Sequence, residues 1–413
     1  MSQFCQFCTQ TSKKKQCSPR EKSSVKHIND LKKFFKAHPY LESYRQYIPP
    51  KILNFRQKKH DRFYLICPNV AKAASKHILQ GIKDNNNQVI AEVNPGIGYL
   101  TKELLDGGVD NLKLYEPNDI FYPVIKLILE DRYSKVEIVE NDILDLGKLA
   151  YCDSQDEGNR VESLLKDVPN KKWTDDPSMS IIGTMVNLNF IKYLTATMIF
   201  QKTIWNKGRM DLYIFTTPAN WAVLAQTTNI PIYHRSWMIL FNICLKIDLL
   251  EVFDRKLFMP WVKEKIVRNI YPYCYDSNNM YFIKIEMKTK FPIDMEDTLP
   301  FYVFLKSCVR FTDRQVIPTL EKLVPNCGKN IIAPKQKHQE YFDDINIFTE
   351  FKELTPMQTV GIFKELISHP NYQSSPFAGM IESELMTSES ISPNFVDGEI
   401  DIVTQQLIKK FKF

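Results

Sequence analysis

The chain of 413 residues has no run of about 18 apolar residues free of charge, which excludes a membrane-spanning helix. It has no internal repeat, so a solenoid or propeller is excluded as well. Its nine cysteines follow no repeated spacing and, being odd in number, cannot all pair; reduced thiols of an intracellular or organellar protein are expected. Cys5-x-x-Cys8, with Cys17 nearby, lacks a second Cys/His pair at ligand spacing, so no metal centre is expected. Acids are missing from the first twenty residues, where Lys13, Lys14, Lys15 and Arg20 stand among serines and threonines. Such acid-poor, hydroxyl-rich, basic termini have the composition of a mitochondrial transit peptide, although Lys13-Lys14-Lys15 also suits a nuclear signal.

What is present is the composition of an ordinary globular protein, 44% hydrophobic, 25% charged and 12% aromatic, long enough for one large domain and a smaller one. The net charge of +6 is unevenly spread. Residues 1–60 hold 14 Lys and Arg against Glu21, Asp30 and Glu42, a local +11 that leaves the rest of the chain at −5. A basic arm on a near-neutral body predicts contact with nucleic acid, with targeting as its other use.

Downstream, short apolar runs bounded by turn residues alternate with helical stretches. Gln88–Val93 reads as a buried strand stopped by Asn94-Pro95-Gly96, and Tyr99–Asp106 as a helix closed by Gly107-Gly108. Strands follow at Leu112–Tyr115, Lys135–Val139, Ser180–Gly183, Asp211–Phe215 and Asp248–Phe253, with a polar insertion at 151–179. Tyr281–Met287 alternates apolar and polar residues, as a half-buried antiparallel strand does. The pattern predicts an α/β, Rossmann-like doubly wound sheet. Four regions are expected: a basic extension at 1–54, the α/β domain at 55–294, a small helical domain at 295–370 and a polar tail at 371–413.

The chemistry concentrates where strands end. Gly96-x-Gly98 between a strand and a helix lets backbone approach a ligand closely, but Thr101 replaces the third small residue that a dinucleotide fold wants. Glu116 ends the second strand, where a carboxylate can accept hydrogen bonds from both ribose hydroxyls of an adenosyl group. Asn141-Asp142 ends the third, where a short polar side chain can read the adenine amino edge. Three such features at the ligand edge of one sheet predict a nucleoside-type site.

Glu92-Val-Asn-Pro-Gly-Ile-Gly-Tyr-Leu-Thr101 resembles the first cofactor motif, E-x-G-P-G-x-G-x-L-T, of the rRNA adenine N6-dimethyltransferases. Tyr115-Glu116-Pro-Asn-Asp119 resembles their acidic second motif and Glu140-Asn141-Asp142 their third, while Arg62-Phe-Tyr-Leu65 resembles the segment before the first helix. The resemblance runs from about residue 55 to 330 and implies a class I methyltransferase sheet with a small C-terminal helical domain. It implies S-adenosyl-L-methionine as cofactor, held by Leu65, Asn94, Gly96, Glu116 and Asp142.

Two departures narrow the reading. Asn94 stands where the family has its first glycine, crowding the methionine end of the cofactor. The family's catalytic N-L-P-Y follows an apolar strand and a glycine, but Gly183 is followed here by Thr184-Met185-Val186. That register lacks the amide that would hold the target amino group and the aromatic that would stack on a flipped base. Asn187-Leu-Asn-Phe190, three residues on, offers a displaced substitute in Asn187 and Phe190.

Eroded catalysis with retained cofactor motifs resembles the mitochondrial transcription factor B branch of the family. That branch implies a monomer of the mitochondrial matrix and nucleoid, with mitochondrial RNA polymerase and promoter DNA as partners. Nucleic acid would meet Arg56, Lys58, Lys59 and Arg62, with Lys207 and Arg209 as further candidates, and the tail beyond residue 370 would contact the polymerase. The alternatives are an active dimethyltransferase of mitochondrial small-subunit rRNA and a methyltransferase acting on something other than nucleic acid.

Overall fold

A computed structural model describes residues 31–48, 52–53, 62–82, 88–186, 188–200, 206–225, 236–260, 278–309, 311, 313–332, 342 and 344–388. Strand β1 (Tyr64–Leu65) opens the α/β region, and β2 (Val89–Val93), β3 (Leu112–Tyr115), β4 (Val136–Val139), β5 (Met179–Met185) and β6 (Met210–Thr216) run parallel to one another. With β7 (Leu245–Asp254) and β9 (Asn279–Met287) they form a seven-stranded sheet in the order β4-β3-β2-β5-β6-β9-β7. Strand β9 enters antiparallel between β6 and β7. The two-residue β8 (Phe258–Met259) pairs separately with β1, Tyr64 opposite Met259 and Leu65 opposite Phe258. This is the Rossmann-like sheet expected from the alternation of elements, in the methyltransferase form that the motif resemblance implies.

Period-two patterning divides the sheet between two cores. Val89, Ala91 and Val93 face one of them, and Ile90 faces the other. Helices α2 (Pro68–Ile82), α3 (Tyr99–Asp106) and α4 (Tyr122–Leu129) cover the second face. They are joined there by α1 (31–37), whose Phe34 is fully buried. The opposite face is covered by α5 (Leu146–Asp156), α6 (Arg160–Leu164), α7 (Asn189–Phe200), α8 (Pro218–Leu224) and α9 (Ser236–Cys244). Each aliphatic side chain buried in either core contributes about 1.5–3 kcal/mol.

The C-terminal helices α10 (Thr298–Phe304), α11 (Val316–Leu323), α12 (Gly328–Ile332), α13 (Pro356–Ser368) and α14 (Pro376–Ser388) share the first core rather than standing apart. Thr355 caps α13: its hydroxyl accepts from the Gln358 amide at 3.1 Å while the Gln358 side chain accepts from the Thr355 amide at 2.9 Å. Such a box stabilises a helix start by about 1 kcal/mol.

Three segments are more ordered than their polarity suggests. Within the basic extension, α1 and the 310 helix Pro39–Tyr47 dock through Phe34, Leu41 and Ile48 onto the core around α4. The polar stretch at 151–179 contains the end of α5 and all of α6, anchored by Val161 and Leu164. Helix α14 lies in the stretch read as a tail, with Phe377 fully buried against Phe304 and Tyr372. In each case a few well-spaced apolar side chains outweigh a polar surround. No helix among the described residues is long and apolar enough to cross a membrane.

Candidate functional site

The ligand edge is built from the C-terminal ends of β2, β3, β4 and β5. After β2 the chain turns through Asn94-Pro95-Gly96, and Gly98, at φ +92°, caps α3. Gly96 has φ +58°, and a Cβ there would lie 2.7 Å from the Tyr64 ring, so only glycine lets the turn pass this close to β1. Asn94 also adopts positive φ (+53°), which asparagine tolerates better than most residues. Its side-chain Nδ2 donates to the Thr184 carbonyl at 3.3 Å, whereas its buried Oδ1 has no hydrogen-bond partner.

Glu116 is completely buried at the end of β3. Its Oε2 accepts from the Gly96 amide at 3.2 Å and its Oε1 from the Asn118 amide at 3.0 Å. Burial pushes the carboxyl up to about 7, a rise opposed by those amides and by the Arg62 charge and reinforced by Asp142. On the neighbouring strand, Glu92 accepts from the Thr101 hydroxyl at 2.7 Å. Burial drives Glu92 to about 8, against the Thr101 bond and with the help of Glu116. Thr101, which in the sequence closes the first motif and stands where a dinucleotide fold wants a small residue, therefore satisfies a buried acid.

Asp142 follows β4 and caps the next turn, its Oδ1 accepting from the Leu144 amide at 3.0 Å. Its Oδ2 accepts from Arg62 Nε at 3.0 Å and lies 2.9 Å from the second guanidinium nitrogen. Sequence reasoning places Arg62 among the nucleic-acid contacts; the structure shows it ion-paired to Asp142 at the sheet edge. A partner eighty positions away leaves no local signal.

Leu65 is buried on β1, in register with Phe258. The β1 segment is firmly held: the Thr184 hydroxyl donates to the Phe63 carbonyl, and the Ile66 amide donates to the Leu257 carbonyl at 3.1 Å. The Arg255 guanidinium stands 3.9 Å from the Phe63 ring centre and donates to the carbonyls of Phe258 and Pro260. Phe63 and Arg255 carry no sequence signal for this role, and Thr184 shows only as a departure from the family motif.

On the catalytic side, Gly183 sits in β5 beside Val93, and Thr184 follows it. Phe190 is 1% exposed, inside the core with Ile191 and Leu194. Asn187 lies outside the described residues, as do Arg56, Lys58 and Lys59. Lys207 and Arg209 both serve backbone carbonyls. Lys207 is buried and donates to the Val168 carbonyl, and Arg209 donates to the carbonyls of Trp173, Met287 and Asp175. No group of three or more potential metal ligands occurs among the described residues.

The donor and acceptor set suits an adenosyl amino acid. Glu116 and Asp142 could accept from ribose and adenine, and the unsatisfied Asn94 Oδ1 from an ammonium group beside the glycine turn. Mitochondrial dimethyladenosine transferase 2 of Drosophila melanogaster is 28% identical over 393 residues, spanning 85% of this chain and 86% of the fly protein. The likeness to this relative therefore runs over most of both chains. Mitochondrial dimethyladenosine transferase 1 of Xenopus tropicalis is 32% identical, but over 100 residues and a quarter (25%) of its length. No protein-family model matches the chain. Among solved structures, the 23S rRNA methyltransferase ErmE aligns at 12% identity and TM-score 0.45, over 73% of this chain and 99% of that one. A dimethyladenosine transferase from Plasmodium falciparum aligns at 10% and 0.40, over 79% and 98%. The residues at the sheet edge fit S-adenosyl-L-methionine, the cofactor that the sequence resemblance implies.

Proposed function

We propose that this chain is a dimethyladenosine transferase relative that serves as a mitochondrial transcription initiation factor and works with mitochondrial RNA polymerase in promoter melting. Methyl transfer to rRNA is weak or vestigial in this reading. The supporting observation is the register after β5. Thr184 follows Gly183 at the position where the family's catalytic motif opens with asparagine, and its hydroxyl is engaged by Phe63. Phe190, the aromatic that could have stacked on a flipped base, is enclosed in the core. The cofactor acceptors, by contrast, are retained.

S-adenosyl-L-methionine would be held by Glu116 through its ribose, by Asp142 through its adenine and at the Asn94-Gly96 turn through its amino-acid end. When bound it supplies an electrophilic methyl group. The chain's own residues hold and orient it and keep water from Glu116. Melted promoter DNA would lie along the groove that takes RNA in a methylating relative, drawn by Arg56, Lys58 and Lys59 of the basic arm. The relatives' names place them in the mitochondrion, and the basic N-terminus supports the same location for this chain, in the matrix and its nucleoid.

The second reading, an active adenine N6-dimethyltransferase of mitochondrial small-subunit rRNA, is favoured by the intact cofactor edge. Labelled methyl transfer to the small-subunit rRNA hairpin separates the two, with Glu116→Ala as control. No transfer, together with promoter opening by the polymerase only when this protein is added, supports the transcription role. Robust transfer abolished by the substitution overturns it.

A further inference from the structure

The acceptors that would read the adenosyl group are already occupied from within the chain. Asp142 is ion-paired to Arg62 through two nitrogens on one oxygen, and the Arg62 charge also acts on the fully buried Glu116. The Arg62 side chain is about one-third exposed (32%) and Asp142 only 9% exposed, so the arginine is the outer partner and covers the acid. The backbone just after it cannot easily retreat. Phe63 is pinned by Thr184 and Arg255, Tyr64 packs on Gly96 and on the Phe121 ring at 4.7 Å, and Leu65 is paired with Phe258. Exposure of Asp142 therefore requires movement of the Arg62 side chain.

We propose that Arg62 is an internal latch on the cofactor site, competing with the adenine amino group for Asp142 and lowering the affinity of the resting protein for the adenosyl ligand. The inference rests on the cofactor reading above. Two charge-assisted hydrogen bonds to one carboxylate oxygen must be broken before adenine can use it, and the guanidinium must then find solvent or another anion. A competitor that binds only the empty state reduces apparent affinity by the fraction of time the site is closed. The Asp142 carboxylate still caps its turn through Oδ1, so opening the latch leaves the loop formed.

Calorimetric titration of the full chain with S-adenosylhomocysteine tests this on wild type, Arg62→Met, Arg62→Lys and Glu116→Ala. Arg62→Met should bind about tenfold more tightly than wild type, with Arg62→Lys between them, and should show a larger ligand-induced rise in Tm. A merely structural role for Arg62 would move the affinity the other way. Equal or weaker binding by both Arg62 variants, with Glu116→Ala still abolishing it, overturns the latch and leaves the cofactor reading intact. Absence of binding in wild type and both Arg62 variants overturns the two together. If Arg62→Met fails to fold, the Arg62→Lys comparison decides, because it keeps the charge but not the paired geometry.

Discussion

The Gly96 amide donates to Glu116 at 3.2 Å, tying the turn after β2 to the end of β3. That bond holds a buried carboxyl whose ionisation is raised to about 7, so a modest change of pH around neutrality alters its charge. The ionised form accepts from backbone and ribose together, and protonation removes an acceptor. Affinity for S-adenosylhomocysteine should therefore fall about tenfold between roughly pH 8 and pH 6. Glu116→Gln, which has no proton to gain, should bind more weakly at the alkaline end and show a flat profile.

Gly183 and Val93 lie side by side in β5 and β2, closer than any other residue type would permit. Gly183 has φ +136°, and a Cβ there would stand 2.2 Å from the Val93 carbonyl oxygen. Backbone blocks it, so no side-chain rotation relieves the clash. Gly183→Ala should lose roughly 3–5 kcal/mol of stability in urea unfolding, with cofactor binding lost in the same variant because both strands end in the site. A loss under about 1 kcal/mol would show that the strands can part.

How much of this is legible in the sequence depends on distance along the chain. Helix α3 falls at its predicted boundaries because Gly98, Gly107 and Gly108 mark its ends locally, and strand β3 because its apolar run stops at Glu116-Pro117. Glu116 and Asp142 stand out because strand periodicity places them at strand ends, and parallel strands share one ligand edge. The antiparallel sense of β9 is readable from its alternation, but its insertion between β6 and β7 is not, since pairing partners leave no mark within a strand. Arg62, Lys207 and Arg209 carry only their charge, and charge does not say whether a buried carbonyl or carboxylate waits at the other end. Val161, Leu164 and Phe377 are too sparse to announce helices among polar neighbours.

Glu92 makes a prediction about stability rather than binding. Its folded value, raised to about 8 mainly by burial, exceeds the unfolded value of 4.5, so the folded state holds its proton more tightly. Stability should fall as pH rises from 4.5 to about 8 and then level off, with roughly 3 kcal/mol lost by about pH 7 relative to the fully protonated state. Glu92→Gln keeps an acceptor for the Thr101 hydroxyl and carries no charge. Its stability advantage over wild type should be absent below pH 4.5 and grow toward about pH 8 in guanidinium titrations. A constant difference across that window would mean that Glu92 is ionised in the folded protein.

Arg209 separates folding from nucleic-acid binding. Its three donor nitrogens serve the carbonyls of Trp173 (2.9 Å), Met287 (3.2 Å) and Asp175 (2.7 Å), joining the loop before β5 to the end of β9. Arg209→Met should cost roughly 2–4 kcal/mol, because acceptors lose charged donors. It should leave the salt dependence of single-stranded DNA binding unchanged. Lys58→Ala with Lys59→Ala should do the reverse: little change in stability, weaker binding, and a salt slope shallower by about one for each phosphate no longer neutralised. An arginine variant that flattened the slope as the lysine pair does would put Arg209 back among the nucleic-acid contacts, and would require its three carbonyl bonds to open on binding.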